Sequence, residues 1–438
     1  MRSEPSPIAL GGRRSRCIRS PWWSGAVAAL LLATGPVLGQ QDRARKGRPA
    51  PAVRATSQTD GQAEARLIEV YRLAAGADSR RALDKARSLA ADYPTFQLAQ
   101  LIYGDLLMAQ ARPPRVQGVS KAFGPADLPP DLAKGATRLR ELREESRLRL
   151  LALKERPPAG AVPSQFLSLS RRNKHAIAVD VSKARLYLFE QTPRGLQLMA
   201  DYYISVGKAG VGKNVEGDQR TPLGVYFVTS NLDPKSLQDL YGAGALPINY
   251  PNALDIRRGK GGSGIWLHGT PSAQFSRAPL ATDGCVAIAN PDLQRILRNV
   301  EIRTTPVVIA QQLNWVRDDA LSAEKESARS LVESWRRAKA AGDLAGFNDF
   351  YSPDFTADDK TTAGHRLMHK RSASRAPPAD IRLGDLSMLR WNDASDVMIA
   401  TFGEVITGEN GVTAGRVIRQ YWERRGGRWK IVYEGVVG

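Results

Sequence analysis

Apolar and polar positions divide the chain into a helical part, a strand-rich part and a mixed part. Residues 62–112 carry apolar side chains at helical spacing, and Tyr93-Pro94 interrupts the pattern. After the Pro-rich residues 113–129, the pattern predicts an amphipathic helix over 131–156 that ends before Pro157-Pro158. Its leucines are expected to form a buried stripe and its charges a solvated face. The stripe comprises Leu139, Leu142, Leu150 and Leu153.

From Ala176 the apolar period changes to that of β-strands. Short apolar runs separated by turn signals predict an antiparallel, β-rich domain that ends near Gln312. Within it, Asn290-Pro291-Asp292 predicts the N-cap of one short helix over 293–300. The predicted strand runs are AIAVDV, ARLYLFEQ, LQLMADYYISVG, GVYFVTS, GIWLHG, CVAIAN and TTPVVIA.

The C-terminal part begins with a helical pattern and ends in long amphipathic strands, with Gly426-Gly427 as the turn of the last hairpin. The fold class is therefore multidomain, with an N-terminal α-helical segment, a β-rich middle domain and a C-terminal α+β domain. The segments in between are interpreted as linkers, and the one after the first helices includes the amphipathic helix. The predicted boundaries are 1–39, 40–61, 62–112, 113–171, 172–312, 313–325 and 326–438.

Composition excludes several classes of protein. The 438 residues, of which 42% are hydrophobic and 24% charged, suggest roughly three globular units and argue against a disordered or fibrous chain. No apolar run reaches the ~18 residues of a spanning helix, so we expect peripheral membrane contact or none. The formal net charge of +19 suits an anionic partner such as a carboxylate-rich wall or a membrane surface. No nucleic-acid-binding motif is evident, and a basic surface without a specific partner is the alternative.

The first 39 residues have the layout of an export signal. A basic stretch that ends at Arg19 precedes the apolar residues 22–33, and Val37-Leu38-Gly39 provides a cleavage site. This layout predicts a periplasmic protein, and it leaves open whether the signal is removed or kept as an anchor. If Cys17 is removed with the signal, Cys285 remains as a lone thiol without a disulfide partner. Such a thiol is either buried and inert or kept for its reactivity.

The chemistry of the middle domain is expected between His268 and Cys285. A thiol becomes a good nucleophile at neutral pH when an imidazole accepts its proton. His268 ends one apolar strand run and Cys285 begins another, so adjacent strands can bring the two side chains together. Gly284 would let a substrate carbonyl approach the backbone, where the N–H groups of Gly284 and Cys285 could hold an oxyanion.

The full pattern resembles the catalytic signature of the L,D-transpeptidase (YkuD-like) family. His268-Gly269-Thr270 is followed by a variable loop and then by Thr282-Asp283-Gly284-Cys285 with a hydrophobic residue after it. Upstream, residues 179–188 are similar to the opening hairpin of that domain, and residues 217–226 are similar to its Thr-Pro-x-Gly loop. The resemblance covers residues 172–312.

The resemblance implies a role for each matching residue. Cys285 would be the acyl-accepting nucleophile, His268 its general base, and the Gly269 carbonyl would orient the imidazole. The amides of Gly284 and Cys285 would form the oxyanion hole, with Asp283 beside the thiol. No metal or organic cofactor is implied. The residues expected to contact substrate are Thr270, Thr282, Arg220, Thr221 and Trp266.

The family attacks the carbonyl at the L-centre of meso-diaminopimelate in the peptidoglycan stem tetrapeptide and releases D-alanine. An amine then takes the acyl group, which gives a 3→3 cross-link or an attached outer-membrane lipoprotein. Here Thr282-Asp283 replaces the usual Ser-His, and Ala287 replaces a frequent Arg. Asp283 should disfavour the thiolate unless it pairs with protonated His268.

Residues 247–252 together with the Thr-Asp-Gly-Cys core look like the YafK-type subgroup, which includes enzymes that hydrolyse the amide between lipoprotein and peptidoglycan. The acyl acceptor is therefore either an amine or water. A non-catalytic wall-binding adaptor is a third hypothesis, and it rests on Asp283.

The flanking segments resemble two further families. Residues 420–432 resemble a SnoaL-like (ketosteroid-isomerase-like) cone, for which dimerisation or binding of wall peptide or a partner is expected. Residues 62–112 resemble one or two tetratricopeptide units, and a simple helical hairpin is the alternative. His365 and His369 are one helical turn apart but have no evident third ligand, so we expect no metal there.

Overall fold

The computed structural model describes residues 59–76, 78–111, 130–357, 380–407 and 413–437. The predicted signal, the linker over 40–58, most of the Pro-rich segment and the His365–His369 pair lie outside these residues. No helix in the described part of the chain is long and apolar enough to cross a membrane.

Four helices form the N-terminal segment, as the helical spacing predicts. They are α1 (Gln62–Ala75), α2 (Ser79–Asp92), α3 (Gln97–Gln110) and α4 (Pro130–Lys154). The predicted solvated face of α4 is wrong in part, because Glu145 and Arg149 are buried while Leu150 of the leucine stripe is 39% exposed. Burial of these charges is possible because Arg149 pairs with Glu145 at 2.8 Å and with Glu64 of α1 at 3.3 Å.

The middle of the chain forms a sheet in which parallel and antiparallel strands are mixed. The strands and helices from residue 161 to 317, of which β1, β2 and β12 lie outside this sheet, are β1 (Ala161–Pro163), β2 (Phe166–Ser168), β3 (His175–Asp180), β4 (Arg185–Thr192), β5 (Gly195–Gly207), β6 (Gly224–Phe227), β7 (Ala245–Pro247), α5 (Ala253–Arg257), β8 (Trp266–His268), β9 (Leu280–Thr282), β10 (Val286–Ile288), α6 (Asn290–Asn299), β11 (Pro306–Ala310) and β12 (Trp315–Arg317). The strand order is β6-β11-β3-β4-β5-β10-β8-β7, and β9 pairs with β5 outside this path.

The prediction of a purely antiparallel domain is wrong. Strands β10 and β8, β11 and β3, and β5 and β9 are parallel pairs. Parallel pairing is possible because long connections, such as the one between β8 and β10, carry the chain back to the end of the sheet at which the earlier strand began. The predicted N-cap of α6 is also displaced: Ala289 is the N-cap, and the Asn290 side chain bonds elsewhere.

The C-terminal domain is a sheet with helices packed against it. Its elements are α7 (Ser322–Ala340), α8 (Leu344–Asp349), β13 (Tyr351–Ala357), β14 (Asp380–Asn392), β15 (Asp396–Thr407), β16 (Thr413–Arg425) and β17 (Arg428–Val436). Its strand order is β13-β17-β16-β15-β14-β2, so β2 adds an edge strand from the segment before the middle domain. Because β2 joins this sheet and β1 pairs with β12, parts of both segments interpreted as linkers are strands.

The middle sheet is buried on both faces. On β4, Leu186 and Leu188 lie in one hydrophobic core, while Tyr187 and Phe189 lie in another. The second core extends into the C-terminal domain and includes Tyr421. Such two-sided burial explains why the strand runs of the middle domain read as nearly continuous apolar stretches.

Candidate active site

The register of two parallel strands places the predicted nucleophile two residues before the position that lies opposite the predicted base. In the β10–β8 ladder, Ala287 is paired with His268 and Val286 with Leu267. Cys285 immediately precedes this ladder, and so lies at the level of Trp266. The sixteen residues between His268 and Cys285 thus form a connection that leaves the strand and returns beside it.

His268 is buried, with 2% of its surface exposed, and its ring is held from two sides. Its Nδ1 lies 2.7 Å from the carbonyl oxygen of Gly269. Because a carbonyl can only accept, Nδ1 carries the proton and Nε2 is the basic nitrogen. The Tyr241 ring meets the imidazole edge-on, with 5.2 Å between centroids. Burial lowers the pKa of His268 to about 4, so the imidazole is neutral at pH 7.

Asn290 fixes the turn that follows His268. Its Oδ1 accepts from the N–H groups of Ala243 at 2.9 Å and Thr270 at 3.1 Å, and its Nδ2 donates to the Thr270 carbonyl at 2.9 Å. A Cβ at Gly269 would lie 2.1 Å from the Asn290 Oδ1, which excludes any side chain there. This bracing holds the carbonyl that orients the imidazole.

Cys285 is half-buried and protonated in this arrangement. Its Sγ donates to the carbonyl oxygen of Gly264 at 3.4 Å. Burial raises the pKa of the thiol, while the Trp266 backbone and the positive charge of Arg277 act in the opposite direction. With the lowered pKa of His268, the resting pair is therefore a neutral thiol and a neutral imidazole rather than an ion pair.

The turn before the nucleophile differs from its predicted use. The Thr282 hydroxyl donates to the Cys285 carbonyl at 2.7 Å and accepts from the Gly284 N–H at 3.1 Å. The Gly284 amide, expected in the oxyanion hole, is therefore already engaged. Gly284 has a φ of +128°, and a Cβ on it would lie 2.8 Å from the Arg220 carbonyl oxygen. Close packing of two backbone segments is by itself enough to require this glycine, and the approach of a substrate carbonyl stays a prediction.

Three residues that were expected to contact substrate are enclosed by the protein. Thr270, Thr282 and Thr221 are each at most 2% exposed. The Thr221 hydroxyl accepts from the Gly207 N–H at 2.9 Å and donates to the Gly284 carbonyl at 2.9 Å. These threonines support the turns around the nucleophile, because their hydroxyls satisfy buried backbone groups.

Arg220 and Trp266 are the expected substrate contacts that retain accessible surface. The Arg220 side chain is exposed, and its Nη1 donates to the Val211 carbonyl at 2.9 Å. Trp266 is half-buried and packs on Tyr241 with 4.8 Å between ring centroids.

Asp283 lies apart from the imidazole. Its side chain is 73% exposed, and its Oδ1 accepts from Lys208 Nζ at 3.0 Å and from Gln219 Nε2 at 3.2 Å. The sequence left open whether Asp283 pairs with protonated His268. This pair is not formed, because the Asp283 carboxylate bonds to Lys208 at the surface instead. Within the described residues, no group of three or more His, Cys, Asp or Glu side chains is placed to hold a metal ion.

Sequence reasoning missed Tyr241, Asn290 in its bracing role, and Arg277. Arg277 lies in the variable loop between His268 and Cys285, and its charge lowers the pKa of both. Its position inside that loop was the available signal, but spacing alone does not show which loop residue turns towards the site.

Comparison with known families adds to this geometry. Residues 174–309 match the family model of the YkuD L,D-transpeptidase catalytic domain. The chain carries a YkuD catalytic domain. Residues 327–435 match the model of the Cds6 C-terminal NTF2-like domain, so the chain also contains an NTF2-like, or SnoaL-like, domain. These matches confirm the predicted fold class, and the YkuD match indicates peptidoglycan as the partner.

Solved structures share this architecture. A structure of Bdellovibrio bacteriovorus Bd1075 is 26% identical, with a TM-score of 0.55 over 63% of this chain and 98% of that one. The crystal structure of the helical cell shape determining protein Pgp2 from Campylobacter jejuni is 23% identical, with a TM-score of 0.50 over 62% of this chain and 95% of that one. No curated protein matches the chain.

Proposed function

We propose that the YkuD domain is a periplasmic, cysteine-dependent acyl-transfer enzyme that acts on peptidoglycan stem peptides through a thioester. The observation that carries the proposal is the β10–β8 register: the strand that follows Cys285 pairs with the strand that ends at His268, within the residues that match the YkuD family model. The orientation of His268 by the Gly269 carbonyl supports the role of general base.

In the proposed acylation, Cys285 Sγ attacks the carbonyl carbon at the L-centre of meso-diaminopimelate. His268 Nε2 takes the thiol proton as the S–C bond forms, because both groups are neutral at rest. The C–N bond then breaks, and the proton passes from the imidazole to the amine of the departing D-alanine. The products of this half-reaction are a thioester on Cys285 and free D-alanine.

The developing oxyanion needs backbone donors. The Gly284 N–H is held by Thr282, which leaves the Cys285 N–H as the remaining member of the expected pair. We propose that the Gly284 N–H exchanges from Thr282 to the oxyanion as the tetrahedral intermediate forms, because a charged acceptor binds an amide more strongly than a hydroxyl does.

The acceptor decides between two outcomes from the same thioester. Attack by an amine gives a 3→3 cross-link or an attached lipoprotein, and attack by water gives a hydrolase that trims stem peptides or releases lipoprotein. Hydrolysis is the second candidate because Thr282-Asp283 stands where the family signature has Ser-His, and Asp283 faces Lys208 and solvent.

The test uses purified protein and a disaccharide-tetrapeptide muropeptide, with products identified by mass spectrometry. Transfer joins two tetrapeptides with loss of one D-alanine, whereas hydrolysis consumes one water and gives a tripeptide and D-alanine. The Cys285→Ala variant should abolish both products. If that variant still remodels the muropeptide, the thioester proposal is wrong. The third hypothesis, a wall-binding adaptor, predicts instead that the unaltered protein forms neither product.

A further inference from the structure

Arg277 is a cation near the turn that precedes Cys285, and no motif assigns it a role. It lies in the connection between β8 and β9, is half-buried, and donates from Nη2 to the Ala281 carbonyl oxygen at 2.5 Å. Ala281 directly precedes the turn that the Thr282 hydroxyl closes onto Cys285. The guanidinium therefore sits against the same turn that presents the sulfur.

Within the described part of the chain, no carboxylate forms an ion pair with the Arg277 guanidinium. Asp283, whose charge acts on Arg277, has its Oδ1 bonded to Lys208 and Gln219 instead. Burial lowers the pKa of Arg277, yet the group stays charged at pH 7. The half-buried guanidinium has five N–H donors, of which one bonds to the Ala281 carbonyl, so it can bind an anion.

The N-terminal helices hold the backbone just before Arg277. The Phe275 N–H donates to the Thr95 carbonyl at 3.1 Å, and its ring lies 4.6 Å from that of Phe96 and 5.4 Å from that of Tyr93, measured between centroids. These contacts join the loop between α2 and α3 to the loop between His268 and Cys285.

Two further hydrogen bonds fix the residues that follow. The Ser276 hydroxyl donates to the buried carboxylate of Glu145 on α4 at 2.8 Å. The Tyr203 hydroxyl donates to the Arg277 carbonyl at 2.9 Å, and Arg149 lies 4.0 Å from the centre of the Tyr203 ring. The backbone of Arg277 is therefore set by rigid elements, which limits where its side chain can reach.

We propose that Arg277 binds the terminal carboxylate of the donor stem peptide and thereby selects donors with a single residue after the scissile bond. This inference rests on the proposed function. In a tetrapeptide donor, the carboxylate of D-alanine lies one residue beyond the carbonyl that Cys285 attacks. Arginine binds carboxylates in a bidentate geometry, and a stem with further residues has an uncharged amide in place of this carboxylate.

The test compares two donors, the tetrapeptide with a free C-terminal carboxylate and the same peptide with a C-terminal amide. The unaltered enzyme should prefer the carboxylate in kcat/KM by about 10- to 100-fold, the range expected for a charged hydrogen bond. Arg277→Ala should lose that factor on the carboxylate donor and change little on the amide donor, while Arg277→Lys keeps part of the preference. Arg298→Ala, on the exposed side of α6, removes the same charge and should leave the preference intact.

If Arg277→Ala loses turnover equally on both donors, Arg277 has a structural role and the proposal is overturned. The proposal is also overturned if the unaltered enzyme does not distinguish the two donors. Binding of both peptides to Cys285→Ala, with and without Arg277→Ala, measured by calorimetry, tests the same contrast without turnover. The carboxylate peptide should bind at least several-fold more tightly only when Arg277 is present. If the unaltered enzyme turns over neither donor but this binding contrast holds, the proposed reaction fails while the assignment of Arg277 stands.

Discussion

The hydroxyl of Thr282 donates to the carbonyl oxygen of Cys285 at 2.7 Å and thereby closes the turn that leads into Cys285. The Thr282 hydroxyl oxygen also accepts from the Gly284 N–H, so one buried hydroxyl satisfies two backbone groups. From the sequence, Thr282 occupies the position of the usual serine of the family signature and was expected to contact substrate. In the structure it supports the turn from inside.

Replacement of Thr282 by Val should therefore damage the site. Valine has nearly the same shape but leaves a buried carbonyl and a buried N–H without partners, at a cost of about 1–3 kcal/mol each. We expect a lower melting temperature and at least a 10-fold lower kcat, whereas Thr282→Ser should retain most of both. Melting and muropeptide turnover measure the effects, and a fully active Thr282→Val would refute the role.

The neutral resting pair predicts how Cys285 reacts with iodoacetamide. Because burial raises the pKa of the thiol and lowers that of His268, the alkylation rate should rise steadily from pH 6 through pH 9 as the thiolate forms. An ion pair would instead give a plateau across neutral pH. The rate is measured by intact mass, and Cys285→Ala provides the background for any other labelled site.

Gly284→Ala should inactivate the protein. Its Cβ would lie 2.8 Å from the Arg220 carbonyl oxygen at a φ of +128°, so the nucleophile turn must shift. We expect at least a 100-fold loss of turnover. Gly261→Ala is the matched control, because the nearest atom to its Cβ is the Asn214 carbonyl oxygen at 4.0 Å. Turnover of muropeptide by both variants at equal concentration makes the comparison, and near-normal turnover by Gly284→Ala would contradict it.

Two adjacent glutamates on α4 should differ in their effect on stability. Glu145 is 1% exposed and pairs with buried Arg149, so Glu145→Ala leaves a buried charge with fewer partners and should cost about 3 kcal/mol. Glu144 forms an exposed pair with Arg147, and Glu144→Ala should cost less than about 1 kcal/mol. Urea unfolding measures both free energies, and similar values for the two variants would count against the buried network.

Asp292 predicts a pH-dependent change in stability. Burial raises its pKa to about 7, although the Gly61 N–H donates to its Oδ1 at 2.7 Å. A carboxyl whose pKa is raised in the folded state contributes stability below its unfolded pKa of about 4 and loses that contribution as the pH rises to 7. Asp292→Asn keeps the acceptor without the titration.

Relative to the unaltered protein, Asp292→Asn should therefore become more stable as the pH is raised, by on the order of 2 kcal/mol between pH 5 and pH 7. Thermal unfolding of both proteins at these two pH values tests the sign. A difference between the proteins that does not change with pH would show that Asp292 has an ordinary pKa in the fold.

The sequence by itself determined the fold class of the domain and singled out Cys285 and His268 as the candidate reactive pair. Apolar runs of four residues marked β3, β4 and β11, because strands buried on both faces carry apolar side chains on both. The His268-Gly269-Thr270 and Thr282-Asp283-Gly284-Cys285 segments carried the resemblance to the YkuD family. Such local patterns can be recognised from the sequence because they depend on residues that are close along the chain.

Tertiary structure alone decided which of the nearby residues face the site. The three-residue strands β7 and β9 are too short to show a period, and the parallel pairing of β10 with β8 depends on a long connection. Thr221 and Thr282 turned inward because buried backbone groups needed their hydroxyls, and Asp283 turned outward to Lys208. The approach of Arg277 depends on helices nearly two hundred residues earlier in the chain, and contacts over such separations arise from packing and leave no spacing to be read in the sequence.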